Sequence, residues 1–306
     1  MAKLLVATVK PFAPKAVEEI KDICDKAGYE FYILEKYADQ SDLIKAVEDV
    51  DALIVRSDKV TKEVLDAAKE LKIVVRAGAG YDNVDLEAAS ANDVVVMNTP
   101  GQNSNAVAEL ALGMMVFQAR GQYNGKPGTE LKNKKLGIHA YGNVGQNVAR
   151  IGKGFGMDVY AFDPFVEKNR IEQDGVKVAD SVEELYSNCQ YISLHIPSNE
   201  KTKASIGKEL LSKMPKGATL VNTARKEVIH EEELLQLMDE REDFSYISDI
   251  APDSADAFKE KFEGRFFFTP KKMGAQTAEA NINAGIAAAN QIISYLEKGD
   301  TTFKVN

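Results

Sequence analysis

Short apolar runs of strand-like composition alternate with segments of helical period along nearly the whole chain. Residues 4–9, 31–34, 52–55, 73–75 and 94–97 read as strands. Between the first two, Ala16, Val17, Ile20, Ile23, Cys24 and Ala27 recur at helical spacing, and residues 43–47 and 64–71 follow as helices. A helix over 106–119, assignable to either half, leads into residues 121–135. That stretch is rich in Gly, Lys and Asn, is broken by Lys126-Pro127-Gly128, and reads as a loop. A second series of strands follows at 136–140, 157–162, 176–178, 191–194, 218–221, 245–247 and 266–268, with helices at 144–155, 205–213, 231–239 and 277–296. Ser181 with Glu184 three residues on marks the start of a further short helix. Near-continuous apolar strands separated by helices predict an α/β protein whose parallel sheets are covered on both faces.

Composition narrows the possibilities. The 306 residues suggest two domains. Lys and Arg total 38 against 47 Asp and Glu, a net charge of −9, which disfavours nucleic-acid partners without a strong local basic patch. Cys24 and Cys189 give neither a disulfide framework nor metal spacing, so no metal is expected and a cytoplasmic setting fits. The opening apolar run is short for a leader and is followed by Lys10-Pro11. The longest uncharged stretch, 281–296, is studded with Asn, Gln and Ser and is not a membrane span.

The strongest motif is Ala140-Tyr141-Gly142-Asn143-Val144-Gly145, placed between a strand and a helix, with Asp163 closing the next strand 18 residues beyond Gly145. This is the context of a dinucleotide fingerprint, with Ala140 at its first glycine. Gly142 lets the backbone approach a pyrophosphate, the amides of Asn143 and Val144 face it at the helix N-terminus, and Gly145 permits close packing. Asp163 would accept from the ribose hydroxyls and repel a 2′-phosphate, favouring NAD over NADP.

With these residues stand Val55-Arg56-Ser57, residues 75–85 beginning Val-Arg-Ala-Gly-Ala-Gly, Met97-Asn-Thr-Pro-Gly101, Val107-Ala-Glu109 and Leu220-Val-Asn-Thr-Ala-Arg225. In this order and spacing they resemble the D-2-hydroxyacid dehydrogenase family, and within it the short D-3-phosphoglycerate dehydrogenase branch. The resemblance implies two Rossmann-like or flavodoxin-like parallel-sheet domains. An NAD-binding domain, residues 99–276, would be inserted in a substrate domain, residues 1–98 and 277–306. It also implies a dimer or tetramer, with a homodimer expected, and a small phosphorylated hydroxy acid as substrate. The 30 residues after Gln276 leave no room for the regulatory domain of longer relatives, so feedback by serine is not expected.

By the same resemblance Arg225 clamps the substrate carboxylate and polarises its carbonyl, a task suited to a bidentate fork. Ala79, Ile196, Thr202, Thr223, Ala224 and Asp249 match cofactor contacts, Asp249 on the nicotinamide side. Arg56, Ser57, Arg76 and Asn103 match substrate contacts, the two arginines serving a phosphate. Two positions depart from the family. Ser254, preceded by Asp253, occupies the slot of the catalytic Glu, and Lys272 that of the His, with Lys271 as the alternative. A lysine starts near a pKa of ~10.4 and needs lowering to act as a base, so losing the carboxylate suits it. The expected reaction is oxidation of D-3-phosphoglycerate to 3-phosphohydroxypyruvate, the entry to serine synthesis, with Lys272 as acid/base. A glyoxylate/hydroxypyruvate reductase, another D-2-hydroxyacid dehydrogenase, or a weakly catalytic NADH-sensing scaffold are the alternatives. His139 reads as a core residue and His230 as a helix start. His195 follows a strand in Leu194-His-Ile-Pro197, where the family often has His without using it as the base.

Overall fold

The computed structural model describes residues 1–306 and divides into two units, Met1–Asn103 with Gln276–Asn306, and Ser104–Ala275. The first unit runs β1 (Lys3–Thr8), α1 (Pro14–Ala27), β2 (Glu30–Glu35), α2 (Gln40–Ala46), β3 (Ala52–Val55), α3 (Lys62–Ala67), β4 (Ile73–Arg76), α4 (Leu86–Ala91) and β5 (Val95–Asn98). Its strands are all parallel, in the order β2-β1-β3-β4-β5. Alternate strand residues feed two cores: Leu4, Val6, Ile54 and Val75 one, Leu5, Ala7, Leu53, Val55 and Val74 the other. Burial on both faces is why these strands read as unbroken apolar runs.

The second unit runs α5 (Ser104–Ala119), β6 (Lys135–His139), α6 (Asn143–Gly154), β7 (Asp158–Phe162), α7 (Lys168–Gln173), β8 (Lys177–Val178), α8 (Val182–Asn188), β9 (Tyr191–Leu194), α9 (Lys208–Leu211), β10 (Thr219–Asn222), α10 (Glu231–Glu240), β11 (Ser245–Ser248), α11 (Ala255–Lys261) and β12 (Phe266–Phe268). Its seven parallel strands are ordered β12-β11-β10-β9-β6-β7-β8. The last helix, α12 (Ala278–Lys298), belongs to the first unit, where Ala284, Ala288, Ala289 and Ile292 pack with Ile20 and Cys24 of α1.

Several elements depart from the sequence reading. The units divide at 103/104 and 275/276, against 98/99 and 276/277. Residues 99–103 stay with the first sheet, where Thr99 N–H donates to Gly78 O at 3.0 Å, and α5 starts the second unit at Ser104. The helix read at 205–213 shrinks to α9, because Ile206 is held extended in a bridge to Ile229. The helix read at 64–71 ends at Ala67. The short helices α4, α7 and α11 have no counterpart in the reading; six or seven residues are too few to establish a period. The Ser181 cap is present, its hydroxyl accepting from Glu184 N–H at 3.1 Å. No helix is long and apolar enough to cross a membrane.

Candidate active site

In the second unit β6 ends at His139 and α6 opens after Gly142 as N-cap. Ala140, at the first fingerprint position, lies at φ 82°, a left-handed conformation that costs an L-residue roughly 1–2 kcal/mol. A Cβ on Gly145 would lie 2.3 Å from Ala140 O, so α6 can pack on this turn only because position 145 is glycine. Gly142 is the opposite case. Nothing lies within 4 Å of its missing Cβ, and Gly142 and Asn143 are exposed at the positive end of a 12-residue helix. Asp163 follows β7, and its two oxygens accept Tyr141 N–H at 2.7 Å and Phe165 N–H at 2.9 Å. It braces the turn, and each oxygen keeps a further lone pair. The open approach at Gly142, the amides of Asn143 and half-buried Val144, and Asp163 beyond them fit a dinucleotide.

Around the C-terminal ends of the neighbouring strands, Ile196 is buried after β9. Thr202 closes the loop behind it, donating to Pro197 O at 2.6 Å and accepting from Asn199 N–H at 2.9 Å. The Thr223 hydroxyl is buried with no hydrogen-bond partner in the chain, an orphan a bound group can satisfy. His139 Nδ1 lies 3.2 Å from Tyr186 Oη, and its ring meets Phe162 and Tyr186 edge to face. Burial pushes its pKa down to about 4, and that of His195 to about 3. Neither imidazole is matched to proton transfer near neutral pH. His230 is the N-cap of α10.

The end of β10 carries the cations. Asn222 is its last residue. Its Oδ1 accepts Ala224 N–H at 3.0 Å and its Nδ2 donates to Arg225 O at 2.9 Å, an Asx-type brace that fixes the turn. Arg225 is exposed, forms no ion pair with Glu227 or any other carboxylate, and donates from Nη1 to Ala224 O at 3.0 Å. Lys272 Nζ donates to the same carbonyl at 2.5 Å. Burial holds the Lys272 pKa below the ordinary lysine value; Asp249 opposes this, Arg225 assists it, and Glu227 opposes it. Lys271 is exposed, so of the two lysines it is Lys272 that turns inward. Asp249, the first residue after β11, is fully buried, and burial pushes its pKa up.

Neither residue at the family's Glu slot faces Lys272. Asp253 is exposed and paired with Lys226. Ser254 is the N-cap of α11, its amide and hydroxyl donating to Glu231 Oε2 at 2.9 and 2.7 Å, while Asp253 N–H donates to Glu231 Oε1 at 3.0 Å. Glu231 therefore anchors this loop. Nothing in the sequence, where 231–239 reads only as a helix, signals that role. Ala224, matched in sequence to a cofactor contact, also offers the carbonyl that receives both cations.

In the first unit Arg56 follows β3. Its Nη1 donates to Lys10 O at 2.9 Å and Pro11 O at 3.0 Å, its Nη2 to Asn281 Oδ1 at 2.5 Å, and its guanidinium lies 5.1 Å from the Phe12 ring centroid. It makes no ion pair with Asp58, whose Oδ1 instead accepts from Val9 N–H and Tyr37 Oη. Arg76 ends β4, and its Nε donates to Arg56 O at 2.8 Å, so the two arginines adjoin. Ser57 is exposed, Asn103 half-buried, and the carbonyl of exposed Ala79 accepts from Asn98 Nδ2 at 2.6 Å.

Residues 106–262 match the model of the NAD-binding domain of D-isomer specific 2-hydroxyacid dehydrogenases. A D-3-phosphoglycerate dehydrogenase of Methanocaldococcus jannaschii is 34% identical over 315 residues, covering 95% of this chain and 57% of the relative. A hydroxypyruvate reductase of Thermotoga maritima is 33% identical over 284 residues, covering 87% of this chain and 92% of the relative. The chain thus spans about half the length, or less, of the phosphoglycerate dehydrogenases among its curated relatives. The crystal structure of NAD+-bound 3-phosphoglycerate dehydrogenase from Entamoeba histolytica is similar to it, with a TM-score of 0.86 and 49% identity, covering 100% of this chain and 98% of that one.

Proposed function

The chain belongs to the D-isomer specific 2-hydroxyacid dehydrogenase family, and on that premise we propose that it interconverts D-3-phosphoglycerate and 3-phosphohydroxypyruvate with NAD, the entry step to serine. The observation that carries the chemistry is the meeting of Lys272 Nζ and Arg225 Nη1 on one carbonyl, Ala224 O, at the end of a parallel strand. The residues at Gly142, Asn143, Val144, Gly145 and Asp163 hold the dinucleotide. When bound, it supplies the hydride acceptor at the nicotinamide.

Lys272 takes the proton from the substrate C2 hydroxyl in oxidation and returns it in reduction. Its lowered pKa serves this role, since a base works best with a pKa close to the working pH. Arg225 grips the substrate carboxylate with its fork and stabilises the charge that develops on the C2 oxygen. It has no carboxylate of its own to release first. Arg56 and Arg76 recognise the phosphate, Ser57 adjoins Arg56 in sequence, and Asn103, in the separate stretch 101–104, is a further substrate contact. Support for this comes from Arg56, a part-buried cation anchored by neutral acceptors alone. The reading extends to a homodimer, as the family resemblance implies, and to a cytoplasmic setting, which the two unpaired cysteines fit.

A hydroxypyruvate reductase is the second reading, favoured by the Thermotoga relative, nearly all of whose length the match covers. NADH oxidation with 3-phosphohydroxypyruvate, hydroxypyruvate, pyruvate and glyoxylate side by side separates the two. Strong preference for the phosphorylated acid is the expected result. Preference for hydroxypyruvate would favour the second reading. Tight NADH binding without turnover of any acid would favour a binding scaffold and count against both.

A further inference from the structure

Lys272 sits on residues 269–274, the segment that follows β12, and Asp249 holds this segment at both ends. The Asp249 main-chain carbonyl accepts the Thr269 hydroxyl at 2.6 Å, and Asp249 Oδ2 accepts Gly274 N–H at 3.0 Å. The second contact depends on glycine. A Cβ at position 274 would lie 2.8 Å from Asp249 Oδ2 and 3.1 Å from Val107 Cγ2. Lys272 is thus suspended between two anchors that belong to one residue, and its stem turns toward Ala224 O.

The other oxygen of the same carboxyl, Asp249 Oδ1, is buried and has no hydrogen-bond partner. Hydrogen bonding within the chain therefore accounts for only half of this side chain. Buried ionisable groups are normally paired or held by several hydrogen bonds. The charged groups that bear on Asp249 are Lys272 and Arg225, and those that bear on Lys272 are Asp249, Arg225 and Glu227. Asp249 and Lys272 are not in ion-pair contact, so the carboxyl acts on the ammonium through space rather than by taking its proton directly.

We propose that Asp249 is the positioning residue for Lys272: it ties residues 269–274 so that the amine faces Ala224 O, and it supplies the countercharge absent at Ser254. This rests on reading Lys272 as the acid/base group, and it is separate from the cofactor contact that resemblance implies for Asp249. The sign of the effect follows from the charge. A carboxylate near an ammonium favours the protonated form, so removing the negative charge lowers the pKa of Lys272 further.

The test is competitive acetylation of the intact protein by acetic anhydride across a range of pH, read by mass spectrometry on the peptide containing Lys272. Exposed Lys271 serves as internal reference. Asp249→Asn keeps an oxygen for Gly274 N–H and removes the charge; Asp249→Ala removes both. In Asp249→Asn the Lys272 amine is expected to titrate about one pH unit lower than in the wild type, with Lys271 unmoved. In Asp249→Ala, Lys272 is expected also to label faster, as the segment loosens. Reduction of the keto acid needs the ammonium, so its alkaline limb should move down by the same amount in Asp249→Asn.

Unchanged titration of Lys272 in Asp249→Asn would overturn the proposal, and that variant suffices should Asp249→Ala fail to fold. Labelling of Lys272 in Asp249→Ala no faster than in the wild type would also overturn the tie to residues 269–274. A shifted Lys272 together with normal turnover by Lys272→Ala would leave Asp249 as the anchor of the segment and instead remove the acid/base reading.

Discussion

Each unit places an arginine just beyond a parallel strand, and the two are held differently. Arg56 in the first unit is fastened by Lys10 O, Pro11 O and Asn281 Oδ1 and lies against Phe12. Arg225 in the second makes one side-chain contact, to its neighbour's carbonyl, and is otherwise exposed. Neutral acceptors fix a guanidinium without cancelling its charge, so Arg56 is a rigid positive point suited to recognising an anion. Arg225 is free to reorient around a substrate. Lys272 differs again, because a buried carboxyl lies within electrostatic reach and tunes the proton on its amine. The contrast separates recognition, which needs a fixed charge, from catalysis, which needs a tuned one.

The largest effect that would sharpen this contrast is Arg225→Ala. Loss of the carboxylate clamp is expected to lower kcat/KM by roughly 10²–10³ with any keto acid, phosphorylated or not, in steady-state assays. A loss confined to the phosphorylated acid would assign Arg225 to recognition and break the comparison.

Arg56→Ala is expected to raise KM for 3-phosphohydroxypyruvate by roughly 10- to 100-fold, the worth of a charged hydrogen bond, and to leave KM for hydroxypyruvate nearly unchanged. Because Arg56 also ties α12 to the loop after β1 through Asn281 and Pro11, the ratio between the two substrates is the decisive quantity. Equal increases would return Arg56 to a purely architectural role.

The smallest effect concerns the turn before α6. Ala140→Gly relieves a left-handed alanine, offset by the greater freedom of glycine in the unfolded chain. A gain of about 0.5–1 kcal/mol is expected, seen as a rise of about 2 °C in the unfolding midpoint. A loss of stability would show that the alanine methyl makes contacts that outweigh its conformation.

Much of this was legible in the sequence because strands buried on both faces leave an unmistakable apolar run. Residues 52–55 and 191–194 are such strands from end to end, and the aromatic run 266–268, half-buried at the sheet edge, is a strand as well. The fingerprint was legible for a similar reason, since Gly145 is forced by steric contact that no other residue satisfies. The helices α4, α7 and α11 were not legible, being too short for their period to rise above their composition. Nor was the fate of the missing catalytic Glu. Spacing led to Asp253 and Ser254, but Lys226 and Glu231 draw both away from Lys272. Asp249, 23 residues before Lys272 in sequence, is instead the carboxyl whose charge bears on the amine without an ion-pair contact, a proximity that depends on β11 and β12 lying side by side.

The most direct test of the account is the turnover of Lys272→Ala with 3-phosphohydroxypyruvate and NADH, measured from neutral to alkaline pH beside the wild type, with NADH affinity measured separately. Because reduction needs the ammonium and its pKa lies below the ordinary lysine value, the wild-type rate should fall as pH rises through that lowered pKa, while oxidation rises. Lys272→Ala should lose roughly 10²–10⁴ in kcat and this pH dependence, with NADH affinity retained. Near wild-type turnover in Lys272→Ala, with the alkaline limb intact, would contradict the account.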